Sequence, residues 1–392
     1  MIYCDHNATT PIRAEVLDAM LPFLRDEYGN ASSVHRLGSR ARCAVEEARA
    51  HVAALIGARP AEIVFTSGGT ESNNLAIQGA ARASTDRVII TTPIEHSSVR
   101  EPARWLQREG YAVHEIPVND LGQVTAQDIA AQLAGPCALV SVGWANNEIG
   151  TIQPIDEIAA VCGVRGTVLH VDAVQAAGKI PVHVRGVDLL SISAHKLGGP
   201  KGVGALFVRG GIDLRPLLIG GGQERGRRAG TENVAGIVGM GEACRLAASE
   251  IGALGEACHA LREALWEGLC AAIPDVQRNS PAGADCLPNT LNVSFAGVRG
   301  EALVAALDLE GVAASSGSAC AAGAGEPSHV LLALGRTAAA ARDGVRFSLG
   351  RTNTMDDVER VARITAAVVN RVRSAKRSPF PLSLRRLERA CE

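Results

Sequence analysis

The sequence lacks a dominant charge of either sign. Its 392 residues include 39 lysines and arginines against 41 aspartates and glutamates, which gives a formal net charge of −2. Global charge therefore argues against nucleic acid or an anionic membrane surface as the partner. Long apolar runs are also lacking, because the most apolar stretches, such as residues 203–208, have only the length of a strand.

Signals for secretion, disulfide bonding and zinc binding are lacking as well. The opening residues MIYCDHNATTP contain neither a basic stretch nor an apolar segment, so we expect no secretory signal. The ten cysteines are widely scattered, and no CxxC or Cys/His pair has zinc-finger spacing. With 47% hydrophobic and 20% charged residues, the composition is typical of an ordinary globular protein. A reducing compartment, by default the cytoplasm, is expected.

Short apolar segments alternate with helical patterns between about residues 60 and 210. The segments are rich in Val, Ile and Leu and do not alternate in polarity, which is typical of strands buried on both faces. The six predicted strands are 62–66, 87–92, 137–143, 167–172, 188–193 and 202–208. Helical patterns at 72–83 and 154–162 lie between them. The pattern predicts an α/β domain with a mainly parallel sheet.

The flanking regions have a different pattern. Thr10 and Pro11 predict an N-cap and a first-turn proline for a helix that reaches about Tyr28. A second helix, 39–56, is predicted to end at Gly57. After about residue 240, long helical patterns and strand-like pieces at 289–295 and 344–349 predict a second, smaller α+β domain.

Almost every predicted strand of the first domain is followed by polar residues at its C-terminal end. These are SGGTES at 67–72, Glu95 with His96, Asn146 to Glu148, Asp172 with Gln175, and Ser193 to Lys196. Open α/β sheets bind ligands at this edge. We therefore expect one shared site rather than five unrelated loops.

The chemistry of these residues indicates the ligand. SGGTES before a helix offers free backbone N–H groups and a positive dipole end, which suit a phosphate. Asp172 follows the apolar run VLHV, where a carboxylate is costly unless a cation meets it. Lys196 supplies an amine at another strand end. Together they match pyridoxal phosphate, with lysine as Schiff base and aspartate as partner of the pyridinium nitrogen.

Each residue taken alone has an ordinary structural explanation. Asp172 could be a helix N-cap, Lys196 a solvated loop residue, and His96 a core or capping histidine. Their joint placement at consecutive strand ends favours the cofactor site.

Nine motifs follow one another along the chain in an order that resembles a known family. They are DHNATTP, SGGTES, EH at 95–96, NNEIG, HVDAVQAAGK, SAHK, ERGRRAGTEN, SSGSAC and RFSLGR. The sequence resembles the NifS/IscS-type cysteine desulfurases of the class V aminotransferase group. The resemblance implies an α/β protein of the PLP-dependent transferase fold type I. It further implies a large domain over 15–251 with a mainly parallel seven-stranded sheet, a small α+β domain formed by 1–14 and 252–392, and a homodimer.

The resemblance also implies roles for individual residues. Those expected at the cofactor are Gly69, Thr70, His96, Asn147, Asp172, Gln175, Ser193, His195, Lys196 and Thr231. Among them, Lys196 would form the Schiff base, Asp172 would hold the ring nitrogen protonated, and His96 would stack on the ring. Gln175 would bond the phenolic oxygen. Thr70, Ser193 and His195 would hold the phosphate, and Thr231 would reach the phosphate of the neighbouring subunit.

Two further residues are expected to bind the substrate. Asn147 would contact it, and Arg346 would bind its α-carboxylate with two parallel hydrogen bonds, which lysine cannot supply. Arg351 is the nearby rival for this role, and a surface arginine is its ordinary explanation.

Cys320 lies in the stretch SSGSACAAGAGEPSHV, residues 315–330, where small residues dominate. A loop of Ser, Gly and Ala has little packing to lose when it moves, so it suits a thiolate that attacks a sulfur and then carries it away. Cys320, Lys196 and His96 are therefore the expected catalytic residues, with Cys320 becoming a persulfide. No metal site is firmly predicted, although Cys320 could contact a cluster iron during transfer.

The predicted reaction converts L-cysteine to L-alanine and delivers the sulfur to an iron–sulfur scaffold protein or another acceptor. Residues 144–148 and the QERGRRAGTEN loop lean towards the nitrogen-fixation branch, in which the sulfur serves nitrogenase clusters. A selenocysteine lyase or a small-amino-acid aminotransferase on the same fold stays an alternative. A catalytically silent sulfur-relay or scaffold-binding protein is the alternative from another class.

Overall fold

The computed structural model describes residues 1–316 and 326–377. Its helices are α1 Ala14–Arg25, α2 Arg36–Ile56, α3 Gly69–Ala83, α4 Ser97–Arg108, α5 Ala126–Gln132, α6 Ile155–Arg165, α7 Val234–Ala272, α8 Gly300–Leu309, α9 His329–Ala333, α10 Ala338–Arg342 and α11 Met355–Arg377. Its strands are β1 Ile2–Tyr3, β2 Ile63–Thr66, β3 Val88–Thr91, β4 Ala112–Glu115, β5 Leu139–Gly143, β6 Leu169–Asp172, β7 Leu189–Ser193, β8 Gly204–Val208, β9 Val276–Arg278, β10 Thr290–Phe295, β11 Val312–Ala313 and β12 Gly344–Ser348.

Seven strands form the main sheet in the order β2-β8-β7-β6-β5-β3-β4. The pairs from β7 through β6, β5 and β3 to β4 are parallel, and only the pairs of β8 with β2 and β7 are antiparallel. The six predicted strands are confirmed with slightly shorter bounds. The seventh, β4, was missed because it is an edge strand whose residues are mostly exposed and include polar side chains.

Helices cover both faces of this sheet. On one face, Val52 of α2, Ile158 of α6 and Ile237 of α7 pack against strand residues such as Val140. On the other face, Leu75 of α3 and Leu106 of α4 pack against the alternate strand residues. The predicted α/β architecture with a mainly parallel sheet is therefore confirmed, because strands buried on both faces require apolar side chains at every position.

The prediction for the start of the first helix was wrong. Helix α1 begins at Ala14 behind Arg13, not behind Thr10. The Thr10 hydroxyl donates to the carbonyl oxygen of His195 at 2.9 Å and accepts from the Gly198 N–H at 2.8 Å. Thr10 is thus used to attach the N-terminal segment to the turn that follows β7. Helix α2 does end at Gly57, whose φ of +67° is the left-handed conformation that favours glycine.

A second core lies beside the sheet. It is built on the antiparallel sheet β12-β10-β9 and the parallel pair β1-β11, with α8 and α11 packed against them. The 39-residue helix α7 contributes to both cores, because Met240 packs in the first and Leu265 in the second. Residue 251 lies inside this helix, so the domain division at that point stays a prediction.

None of the helices within the described ranges has the length and apolarity that a bilayer span needs. The eight cysteines in these ranges are free thiols, and six of them are buried. Burial raises the pKa of Cys162 to about 12, which is the behaviour of a cysteine that packs as a small apolar residue.

Candidate active site

A cavity opens at the carboxyl edge of the main sheet. Nine of the ten residues predicted for the cofactor line it: Gly69, Thr70, His96, Asn147, Asp172, Gln175, Ser193, His195 and Lys196. Parallel strands end at the same edge, so residues far apart in sequence meet there. Thr231, the tenth, is not among the lining residues and is exposed.

The end of the cavity nearest β2 suits a phosphate. Helix α3 begins at Gly69 after Gly68, whose φ of +151° is a conformation that L side chains rarely adopt. A Cβ atom at Gly69 would lie 2.7 Å from Val174 Cγ2. The tight turn brings the N-terminal N–H groups and positive dipole end of a 15-residue helix to the cavity wall, beside Thr70 and Ser193.

Asp172 presents a buried carboxylate at the end of β6. Its Oδ1 accepts from the Val174 N–H at 2.9 Å, and its Oδ2 accepts from Asn73 Nδ2 at 2.7 Å. Asn73 Nδ2 also donates to Ser98 Oγ at 2.8 Å, so α3 and α4 hold the carboxylate between them. Each carboxylate oxygen can accept more than one donor, which leaves Asp172 able to accept an N–H from the cavity. No sequence pattern had indicated a role for Asn73.

His96 both caps α4 and lines the cavity. Its Nδ1 accepts from the Ser98 N–H at 3.1 Å, so the capping role considered from the sequence is present. A ring whose Nδ1 accepts a hydrogen bond carries its proton on Nε2 when neutral. The cap therefore fixes the orientation of the imidazole that faces the cavity.

Lys196 and His195 lie on a short turn, Ala194–Lys196, directly after β7. Lys196 Nζ donates to the backbone oxygens of Asn7 at 2.6 Å and Ala8 at 2.8 Å. Burial and the neighbouring Lys196 lower the pKa of His195 to about 4, so its ring is neutral near pH 7. The N-terminal segment thus forms one wall beside the amine.

Gln175 is held from two sides. Its Nε2 donates to the Asn7 carbonyl oxygen at 3.0 Å, and its Oε1 accepts from Lys179 Nζ at 2.5 Å. Lys179 also donates to Asn7 Oδ1 at 2.8 Å. Sequence reasoning did not single out Asn7 or Lys179, although both lie inside motifs it had noted.

Arg346 lies behind Asn147 rather than in the wall of the cavity. It lies on β12 and is 2% exposed. Its Nη1 donates to the Asn147 carbonyl oxygen at 2.9 Å, and its Nη2 pairs with Asp5 Oδ1 at 2.7 Å. Its Nε is buried and has no hydrogen-bond partner among the described residues. The rival Arg351 has a half-exposed side chain that pairs with Glu250 and lines a neighbouring cavity, which also borders Lys196.

Two acidic side chains near the site are fully buried. Glu95 accepts from the Gly143 N–H at 3.0 Å and from Thr92 Oγ1 at 2.7 Å. Glu148 accepts from Ser328 Oγ at 2.6 Å. Burial raises the pKa of each carboxyl to about 7, so both exchange protons near neutral pH.

The Gly/Arg-rich loop that carries Thr231 is anchored beside the phosphate end. Glu224 accepts from Arg49 at 2.8 and 2.9 Å and from the Phe65 N–H at 3.0 Å. Arg228 pairs with Glu71 in the first turn of α3 at 2.9 Å. Glu224 has a φ of +46°, a strained conformation for a residue with a side chain, which these contacts maintain.

Cys320 lies outside the described residues. The residues on either side of that segment are attached close to the site. Ser315 exchanges backbone hydrogen bonds with Arg346 at 3.1 and 2.7 Å, and Ser328 is bound to Glu148.

The donor and acceptor set fits pyridoxal phosphate. A helix N-terminus with hydroxyls suits its phosphate, and the free acceptor capacity of Asp172 suits a protonated ring nitrogen. Gln175 offers an amide N–H to a phenolic oxygen, and Lys196 offers an amine to an aldehyde.

The chain is similar to known proteins over nearly its whole length. The family model for Aminotransferase class-V matches residues 2–361. A cysteine desulfurase of Trichormus azollae is 47% identical over 97% of this chain and 95% of the relative. The cysteine desulfurase IscS of Dictyoglomus turgidum is 46% identical over 97% of this chain and 96% of its own length.

Solved structures of similar proteins support the same family. A NifS-like protein superposes with a TM-score of 0.88 at 38% identity, covering 94% of this chain and 99% of that one. SspA in complex with cysteine superposes with a TM-score of 0.79 at 36% identity, covering 90% of this chain and 100% of that one. These relatives favour a desulfurase over the selenocysteine lyase, aminotransferase and silent relay considered from the sequence. The chain belongs to the class-V aminotransferase family and, within it, to the pyridoxal phosphate-dependent cysteine desulfurases.

Proposed function

We propose that this chain, a cysteine desulfurase, converts L-cysteine to L-alanine and keeps the sulfur as a persulfide on Cys320. The observation that carries the proposal is the meeting of Lys196 and Asp172 in one cavity, next to a helix N-terminus. An amine, a carboxylate and a phosphate cradle are the three groups that pyridoxal phosphate requires.

The roles of the individual residues follow from their contacts. The cofactor, when bound, supplies an electron sink for bonds broken at the substrate carbon chain. Lys196 holds it covalently and can move a proton at the substrate α-carbon. Asp172 would accept the N–H of the ring and keep that proton in place, and the imidazole of His96, oriented by its cap, would pack on the cofactor. Gln175 donates to the phenolic oxygen.

Asn147 and Arg346 bind the substrate in this proposal. Arg346 has an Nη2 held by Asp5 and a buried Nε that no other described residue binds, so a substrate carboxylate can replace Asp5 and gain two hydrogen bonds. The charge of Arg346 remains paired throughout, which avoids the cost of an isolated buried cation.

Cys320 performs the sulfur transfer. Its thiolate forms a bond to the substrate sulfur while the carbon–sulfur bond breaks. The electron pair of that bond stays with the carbon skeleton, which takes up a proton and leaves as alanine. A reductant or an acceptor thiol then removes the outer sulfur from Cys320.

We further propose a homodimer in the cytoplasm that supplies an iron–sulfur scaffold protein, with nitrogenase clusters as one destination. Thr231 supports the dimer, because it is exposed on an anchored loop and outside its own cavity. The eight free thiols in the described part of the chain suit a reducing compartment. The two cores support division into a large domain, 15–251, and a small one formed by 1–14 and 252–392.

The test is turnover of the purified, cofactor-loaded chain with L-cysteine and a thiol reductant. We expect alanine and sulfide in equal amounts, and neither product from Lys196→Ala. Alanine formed without sulfide, and only when pyruvate and an amino donor are added, would identify an aminotransferase instead.

A further inference from the structure

We propose that Lys179 is a positioning residue that fixes the side-chain amide of Gln175, so that its NH2 group faces the phenolic oxygen of the cofactor. The inference rests on the proposed function, because it concerns the same cofactor site. It assigns a task to a buried amine that the reaction itself does not use.

The contacts of Lys179 determine which way the amide points. Lys179 Nζ lies 2.5 Å from Gln175 Oε1 and 2.8 Å from Asn7 Oδ1. The two ends of a glutamine amide are almost equal in size, so its orientation depends on its partners. An amine that donates to Oε1 holds the oxygen away, and Gln175 Nε2 is left to donate to the Asn7 carbonyl at 3.0 Å and towards the cavity.

The spacing in the sequence makes this contact possible. Lys179 follows Gln175 by four residues, and the backbone bonds of Ala177 to Ala173 and Ile180 to Ala176 make this segment turn like a helix. Residues four apart on such a turn face the same side. Asn7 is 1% exposed and receives hydrogen bonds from Lys196 as well, so Lys179 is tied to the segment beside the Schiff-base lysine.

The surroundings of Lys179 disfavour a positive charge on its amine. Burial, Lys196 and Arg346 lower the pKa of Lys179 well below its usual value, and Cys258 opposes them. His6 and His195 also lie within its electrostatic reach. Lys179 donates to two acceptors, the amide oxygens of Gln175 and Asn7, so one amine orients both side-chain amides.

The orientation of Gln175 has a measurable consequence. A hydrogen-bond donor at the phenolic oxygen stabilises the negative charge of that oxygen. The oxygen then stabilises a proton on the nitrogen that links the cofactor to Lys196 less strongly, so the pKa of that nitrogen is lower. Without Lys179 the amide can rotate and present its oxygen instead. The linking nitrogen then keeps its proton to a higher pH.

The experiment is a pH titration of the visible absorption band of the cofactor-loaded protein. We expect Lys179→Met to raise the midpoint by roughly one pH unit, the effect of one lost hydrogen bond. Lys179→Gln, which keeps an N–H donor, should recover part of the shift. Lys201→Met removes a surface amine that acts on His195 but does not contact Gln175, and it should leave the midpoint unchanged.

A double-mutant cycle separates positioning from charge. Gln175→Ala alone should raise the midpoint, and adding Lys179→Met to it should cause no further shift. If Lys179→Met shifts the midpoint by the same amount in the Gln175→Ala variant as in the wild type, then Lys179 acts through its charge. That result would overturn the proposal. An unchanged midpoint in Gln175→Ala would also overturn the proposal. This result can be obtained even if Lys179→Met does not fold. A wild-type protein without any visible band would instead contradict the proposed function.

Discussion

Arg346 and Asp5 form an ion pair, with Nη2 2.7 Å from Oδ1, and the same guanidinium donates to the backbone oxygen of Asn147 at 2.9 Å. The pair joins β12 to the N-terminal segment and lies directly behind the cavity. In the proposed function, Asp5 occupies the position that the carboxylate of the substrate takes over. Arginine can bind both partners because the N–H groups of its planar guanidinium donate in two directions at once.

Replacing Arg346 by lysine is therefore expected to weaken cysteine binding while cofactor remains bound. Lysine keeps the charge but not the second directed N–H, so the Michaelis constant for cysteine should rise about tenfold, a change of about 1.4 kcal/mol. Steady-state kinetics with cysteine measure it. Arg351→Lys is the matched control and should change the constant little, since Arg351 pairs with Glu250 outside the cavity. The opposite ranking would assign the carboxylate to Arg351.

Lys196→Ala is expected to lose the covalently held cofactor. The amine of Lys179 also lies near the cavity, but it is bound to Gln175 and Asn7. Borohydride reduction followed by mass spectrometry of the peptides should add the cofactor mass at residue 196 of the wild type and nowhere in the variant. A reducible adduct that persists in Lys196→Ala would assign the amine elsewhere.

Glu148 should make stability depend on pH in the acidic-to-neutral range. Burial raises its pKa to about 7, whereas an unfolded glutamate has a pKa of about 4.3. Between these values the folded state holds a proton that the unfolded chain has lost. This carboxyl therefore lowers stability as the pH rises from about 4.5 to 7, by up to about 1.4 kcal/mol per pH unit.

Thermal unfolding of Glu148→Gln measures this effect. The variant stays neutral, so its melting temperature relative to the wild type should increase from pH 5 to pH 8. The exposed Glu301→Gln is the control and should show no such trend. A Glu148→Gln difference that is constant with pH would mean that the carboxyl is not protonated in the folded protein.

Thr231 should act across a subunit boundary. We expect the cofactor-loaded protein to sediment as a dimer, and Thr231→Ala to bind the cofactor more weakly. Mixing the Thr231→Ala and Lys196→Ala proteins tests directly whether Thr231 serves the neighbouring subunit. In a hybrid dimer, one of the two cavities contains an intact Lys196 from its own subunit and an intact Thr231 from the other. Activity above that of either variant alone is the expected result. A fully active monomer would show that the loop serves its own chain.

The sheet and most of the cavity were predictable from sequence because both depend on local patterns. Mostly apolar runs such as 137–143 specify buried strands, and the polar residues that follow them meet at one edge for topological reasons. Thr10 was misassigned because its tertiary partners at His195 and Gly198 replace the cap that its local sequence favours. Strand β4 was missed because an edge strand needs no apolar pattern.

The polar network behind the cavity was not predictable in the same way. Asn7 bonds to groups that are 140 to 341 residues away in sequence, and no local pattern encodes such contacts. Asn73 and Lys179 are equally inconspicuous, since each lies on a helical turn where a polar residue is ordinary. Only the folded chain shows that they hold Asp172 and Gln175.

Sulfur transfer through Cys320 is the central claim. Mutation of Cys320 should abolish sulfur transfer while the binding of cofactor and substrate is retained. Cys320→Ala should still bind pyridoxal phosphate and change its spectrum when cysteine is added, because Lys196 and Asp172 remain. It should release essentially no alanine, since another mobile thiolate is not expected at the site.

The most direct measurement is mass spectrometry of the wild-type protein after brief exposure to cysteine, with peptides mapped for one added sulfur. The buried thiols within the described ranges, such as Cys137 and Cys162, have a pKa of about 11 to 12 and serve as internal controls. We predict that the added sulfur appears first on Cys320. Its first appearance on another cysteine, together with normal desulfuration by Cys320→Ala, would contradict the account.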